Sequence, residues 1–194
     1  MLSFSGPDPS EVLDGPVYSK DIDFQQSRRH VAATWFSIED PDSDVIQLTW
    51  CVGTKPRSCD LKSRSSLANT QTKTSAFLDR PLKASDKYYV TLEAVNGAGD
   101  RSIMVSNGVV IDYIPPKAGV VIDGNDTDID FIRNDETIYA HWTGFVDLES
   151  GVMAYMFALC EKENITSCPS PFSDIGKERN ISLTGWENIS LSLE

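Results

Sequence analysis

The chain has 194 residues, 40% hydrophobic and 24% charged, which is ordinary for globular protein and excludes wholesale disorder. Acidic residues dominate: residues 1–115 carry 12 basic and 15 acidic side chains, and residues 116–194 carry 5 and 14, for a net charge of −12. Without clustered Lys and Arg to neutralise phosphates, nucleic acid is excluded as a partner, and no apolar run approaches the roughly 20 residues that span a bilayer.

The first residues, Met1 to Pro7, lack a basic start and an apolar stretch, so they form no signal peptide. Residues 1–11 read as a tail or as the end of a preceding module, in a piece of a longer precursor. Val12-Leu13-Asp14-Gly15 then opens a pattern that returns as Val121-Ile122-Asp123-Gly124. Asp21-Ile22-Asp23-Phe24 recurs 107 residues later as Asp128-Ile129-Asp130-Phe131, and each copy meets a tryptophan eleven residues on, Trp35 and Trp142. A period this long marks a duplicated domain, because solenoid units repeat every 20–50 residues or so.

Val31, Ala33 and Trp35, matched by Ile138, Ala140 and Trp142, alternate as a strand with one buried face. Ile46, Leu48, Trp50 and Val52, matched by Met153, Tyr155, Phe157 and Leu159, predict a second strand with four side chains on one side. Lys62 to Ser75, rich in Ser, Thr and Asn, reads as a mobile connection. Leu82, Tyr88, Val90, Leu92, Ala94 and Asn96 form another apolar row, ended by Asn96-Gly97. Ile114-Pro115-Pro116-Lys117 reads as a stiff linker. The expected organisation is a domain over 12–114, a linker over 115–117 and a second domain over 118–194.

Cys51 and Cys59 enclose seven residues, as do Cys160 and Cys168. The first of each pair has the parity opposite to the core row, so it faces away from the core. We expect Cys51–Cys59 and Cys160–Cys168 disulfides, each within one copy and each stabilising by about 2–3 kcal/mol on the loop-entropy model. Free thiols and zinc are the competing readings, although the gaps do not resemble the short paired spacing of zinc ligands. Four of the eight asparagines lie in glycosylation sequons, Asn125, Asn164, Asn180 and Asn188, where roughly one would be expected by chance. Sequons and duplicated cysteine spacing both point to a secreted chain.

Short alternating strands between Gly, Pro, Asp and Asn clusters predict an all-β chain of two tandem antiparallel sandwiches. Leu82 to Tyr88, followed by Tyr89-Val90-Thr91-Leu92-Glu93-Ala94-Val95-Asn96-Gly97-Ala98-Gly99, resembles the E–F turn and F strand of the fibronectin type III family. Trp35 falls at that family's strand-B tryptophan and Trp50 in its strand C. The resemblance covers residues 16–114, and more weakly 117–194. It implies that Tyr88 pins its hydroxyl to the preceding turn. Two departures stand out: modules of that family generally lack disulfides, and the second copy has no counterpart of Tyr88 to Asn96, so it stops before strands F and G.

No nucleophile with a base and no phosphate loop is visible, so no enzyme is expected. His30 and His141 do not align in the repeat and read as strand residues. Asp40, Asp42 and Asp44, with Asp147 and Glu149, supply hard oxygen ligands of the kind calcium takes. Asp21, Asp23, Asp128 and Asp130 form a second acidic set. The competing reading, favoured by the composition of these loops, is that Asp and Ser build the turns. Calcium is therefore the one candidate ion, and no other cofactor is expected.

The resemblance implies a non-catalytic, extracellular structural or adhesive module of a larger secreted or cell-surface protein, with other extracellular proteins or matrix as partners. The alternatives are an acidic calcium-binding protein of an extracellular, for instance mineralising, matrix, and an accessory module of a secreted or surface enzyme. Without strands F and G the core of the second copy is uncovered. Calorimetry of residues 117–194 alone should show little cooperative heat absorption; a sharp transition like that of residues 10–115 would refute the truncation.

Overall fold

In a computed structural model residues 6–131, 133, 137–160 and 172–184 are described. The chain is all-β and divides into two units, Met1–Ile114 and Pro115–Glu194.

The first unit contains β1 (Val12–Asp14), β2 (Phe24–Gln25), β3 (His30–Trp35), β4 (Val45–Gly53), β5 (Lys62–Leu67), β6 (Lys73–Phe77), β7 (Lys87–Asn96), β8 (Arg101–Val105) and β9 (Val109–Ile111). One sheet has the order β1-β3-β6; the other has β2-β9-β7-β4-β5, with β8 also on β7. All pairs are antiparallel except β2 with β9, which is parallel. The inward residues of the two sheets meet in one core: Val31, Ala33 and Trp35 from the first, Leu48, Trp50, Val52, Tyr88, Val90, Leu92 and Ala94 from the second. Burying such side chains stabilises by about 1.5–3 kcal/mol each. The architecture is therefore a β-sandwich.

Tyr88 behaves as its position predicts. It is buried, and its hydroxyl accepts a hydrogen bond from the Lys83 amide at 2.9 Å. Strands β8 and β9 run along the same side of β7, broken at Ser106-Asn107-Gly108 with a one-residue change of register. Gly108 has φ +91°, and a Cβ there would lie 2.7 Å from the Tyr89 ring, so only glycine fits the break.

Two expectations for this unit need correction. Lys62 to Ser75 is not a connection; it forms β5, most of β6 and a short turn between them. Both strands lie on sheet edges, where a polar row facing water is tolerated, and only Leu67 and Ala76 need reach the core. Lys62 also has a specific partner, its ammonium standing 4.3 Å over the Trp50 ring. Ile46 does not share the inward face of Leu48, Trp50 and Val52. A bulge between Val45 and Gln47 turns Ile46 outward, 60% exposed, and Val45 packs against the core instead.

The second unit contains β10 (Val120–Asp123), β11 (Ile138–Thr143), β12 (Met156–Phe157), β13 (Ser173–Asp174) and β14 (Asn180–Leu183). Its sheet β10-β11-β14 copies β1-β3-β6 residue for residue. Val31↔Ala76 and Ala33↔Thr74 become Ile138↔Leu183 and Ala140↔Ile181. Val12↔Trp35 becomes Val121↔Trp142. The approach to each sheet is copied as well: the Asp8 amide donates to the Glu39 carbonyl in the first unit, and the Lys117 amide donates to the Val146 carbonyl in the second.

The predicted second strand of this unit is mostly unformed. Only Met156 and Phe157 pair as β12, and Met153 is exposed. In the first unit β4 is held on its other side by β7 along almost its whole length; among the described residues β12 has no such partner. Counterparts of β7, β8 and β9 are absent among the described residues. Val121 is accordingly 58% exposed where Val12 is 4%. An apolar cavity of about 360 Å³ lies among Val121, Ile138, Trp142, Tyr155, Phe157 and Ile181.

These assignments separate two neighbouring isoleucine and leucine positions sharply. Ile46→Ser should change the stability of the first unit by less than about 0.5 kcal/mol, whereas Leu48→Ala should lower it by about 2–5 kcal/mol. Urea denaturation followed by tryptophan fluorescence compares the two; equal losses would place Ile46 in the core.

Candidate functional site

The repeated Asp-Ile-Asp-Phe segment builds the same turn twice. In the first unit the Asp14 amide donates to Asp21 Oδ1 at 2.7 Å, and the Ile22 amide to the Asp14 carbonyl at 3.1 Å. In the second, the Asp123 amide donates to Asp128 Oδ1 at 3.3 Å, and the Ile129 amide to the Asp123 carbonyl at 2.9 Å. The glycine that follows, Gly15 or Gly124, has φ +106° or +114°. Ile22 packs onto Gly15, where a Cβ would lie 3.1 Å from its side chain. Asp21 Oδ2 also accepts from the Asn107 amide group at 2.7 Å, and the Asp23 carbonyl accepts from the Val110 amide at 2.8 Å, which starts the β2–β9 pair.

The loop acids repeat in the same manner. Asp40 Oδ1 accepts from the amides of Asp42 and Ser43 at 3.0 and 2.9 Å, and its Oδ2 accepts from Asn96 Nδ2 at 2.9 Å. Asp147 Oδ1 accepts from the amides of Glu149, Ser150 and Gly151 at 3.1, 2.9 and 3.1 Å. Both carboxylates thus serve as turn anchors. The Asn96 side chain, then the Ser43 amide, hold the Asp40 carboxyl below its ordinary range. Of the remaining acids of these loops, Asp42 and Asp44 are exposed, Asp44 in the left-handed region at φ 55°, and Glu149 is partly shielded.

Asn96 is the link between this loop and the end of β7. It is buried, and its Oδ1 accepts from the amides of Ala98 and Asp100 at 3.1 and 2.8 Å. Gly97 is required for close approach: a Cβ there would lie 2.6 Å from the Ser43 carbonyl. The left-handed residue of the turn is Gly99, at φ +90°.

Cys51 and Cys59 are disulfide-bonded, with Cα atoms 5.2 Å apart. Cys51 lies outside the core cluster, yet it is fully buried beneath its own hairpin. That hairpin is tied by Asp60, whose carboxylate accepts from Ser58 Oγ at 2.6 Å, the Thr54 amide at 3.0 Å and Thr54 Oγ1 at 2.9 Å. These bonds, Ser58 foremost, bring Asp60 down to about 2. Cys160 is also disulfide-bonded; Cys168, Asn164 and Asn188 lie outside the described residues. Asn125 and Asn180 are both exposed.

The histidines are engaged in local structure. The His30 ring lies 5.1 Å from the Phe77 ring, and His141 Nδ1 lies 3.1 Å from the Gly124 carbonyl. Sequence reasoning missed two buried acids. Glu93, on the outer face of β7, is paired with Arg101 at 2.8 Å and with Arg64. Its sign was the only signal, a charge in the middle of an apolar strand. Asp14 is wholly buried and bonded to Gly108, and nothing in its local sequence distinguishes it from an ordinary turn residue.

No protein-family model matches the chain, and no curated protein matches it. A solved structure similar to it is the crystal structure of chicken CNTN1 FN1-FN3 domains, at 17% identity and a TM-score of 0.42 over 93% of this chain. The match covers 55% of that structure's length. The sandwich assignment rests on the strand order and shared core of the first unit.

Replacing Asn96 with Ala leaves the Ala98 and Asp100 amides without that acceptor and removes the donor to Asp40 Oδ2. The first unit should lose about 2–3 kcal/mol at pH 7. The Asp40 carboxyl is depressed when folded, so its contribution is present above the unfolded value of 3.8 and fades as pH falls through the folded one. Urea titrations at pH 7 and pH 3 should show a larger Asn96→Ala effect at pH 7; equal effects would detach Asp40 from the amide.

Proposed function

We propose that this chain is a non-catalytic extracellular array of β-sandwich modules. It spaces neighbouring parts of a larger secreted or cell-surface protein and offers its faces to other extracellular proteins or matrix. The observation that carries this reading is the Cys51–Cys59 bond across a hairpin whose tip is exposed. Such bonds form and persist in oxidising compartments and are rare in the cytosol.

The positions of the sequons support it. Asn125 is exposed in the turn after β10. Asn180 is exposed at the start of β14, and alternation puts it on the face opposite Ile181 and Leu183, which line the cavity. An oligosaccharide on either residue would stand in water and leave the apolar side uncovered by sugar. The chemistry of the repeated acids agrees, since Asp21, Asp40, Asp128 and Asp147 anchor backbone amides in pairs related by the repeat.

Expression through a secretory pathway, followed by mass spectrometry without reduction, tests the reading. All four cysteines should resist alkylation, and N-glycosidase should release glycan and convert Asn125 and Asn180 to Asp. Four alkylated thiols with unmodified asparagines would return the chain to a reducing compartment.

A further inference from the structure

Asp14 ends β1, the three-residue edge strand of the first sheet. Its side chain points away from water altogether, at 0% exposure. Oδ2 accepts from the Gly108 amide at 2.9 Å, and the Ser106 hydroxyl bonds the same carboxyl group. Ser106 is itself buried, and its Oγ accepts from the Val90 amide at 3.0 Å. A continuous path thus runs from the middle of β7 through Ser106 to the end of β1. Oδ1 has no hydrogen-bond partner.

A buried carboxylate with one bare oxygen is costly when ionised and cheap when protonated. The charged groups around it are few. Asp21 reaches it through the Asp14 amide and repels its ionised form; Lys87, at the start of β7, attracts it. Strand β3 brings Ala33 opposite it, and the β8–β9 break brings Ser106, Asn107 and Gly108, none of them charged.

We propose that Asp14 is a proton-controlled latch: protonated, it fastens the first strand to the β8–β9 break, and ionised, it loosens that attachment. Burial, opposed by the Ser106 and Gly108 hydrogen bonds, raises its titration to about 7. For an acid raised in the folded state the sign is opposite to that of Asp40. The fastening is complete below the unfolded value of 3.8, weakens as pH rises, and levels off above about 7. The counterpart in the second unit, Asp123, is exposed, so the latch belongs to the first unit alone.

The test uses the full chain and amide hydrogen exchange at Gly108, corrected for the intrinsic rate. The opening equilibrium should rise by roughly several hundredfold between pH 4 and pH 8, and Asp14→Asn should abolish that rise. A flat wild-type profile, or the same rise in the Asn variant, would overturn the latch. Should Asp14→Asn fail to fold, the carboxyl carbon shift of wild-type Asp14 decides. A midpoint near 7 upholds the proposal, and one near 4 removes it.

Discussion

The inward row of β7 governs the first unit. Tyr88, Val90, Leu92 and Ala94 fill the centre of the core while the backbone of the same strand holds β4 on one side and β8 and β9 on the other. Its two ends are fastened separately, by the Tyr88 hydroxyl at the start and by Asn96 at the finish. The second unit shows what the row contributes. With no counterpart of that row among the described residues, it keeps the small sheet in identical register, yet β12 has only two paired residues and the apolar side chains surround a cavity.

That comparison explains why the sequence repeat is most visible in the turns. Strand positions tolerate exchange among apolar residues, so Val31 can become Ile138 and Leu48 can become Tyr155. A carboxylate that anchors a backbone amide has few substitutes. Asp21 and Asp128 hold corresponding amides, as do Asp40 and Asp147, and these acids are among the residues the two copies still share by identity. Their acidity is the chemistry of turns, and it accounts for part of the charge of the chain.

The sandwich was legible because alternation survives wherever one face is buried on a central strand. Trp35, Trp50 and the Tyr88 row were all placed correctly for that reason. The edge strands were hidden, since β5 and β6 need few apolar residues and read by composition as a connection. Ile46 was misplaced because one bulge reverses the parity of everything before it, and no residue type announces a bulge of this kind. Cys51 was assigned the outer face from parity alone; its burial there comes from the hairpin folding back over it. Asp14 and Glu93 depend on partners 94 and 8 residues away in the chain, and local pattern carries no record of such contacts.

The edges of the first unit have a consequence for chains that carry many sandwiches side by side. Unpaired strand borders are templates on which other chains can grow, and tethering raises the local concentration of such borders. Here β1 is only three residues long, β5 carries Lys62 and Arg64, and β6 begins with Lys73. Joining two copies along these borders would strip water from ammonium and guanidinium groups or bring like charges together. The polar, basic composition that disguised β5 as a loop is thus a barrier to fibrous polymerisation, placed where the backbone would otherwise invite it.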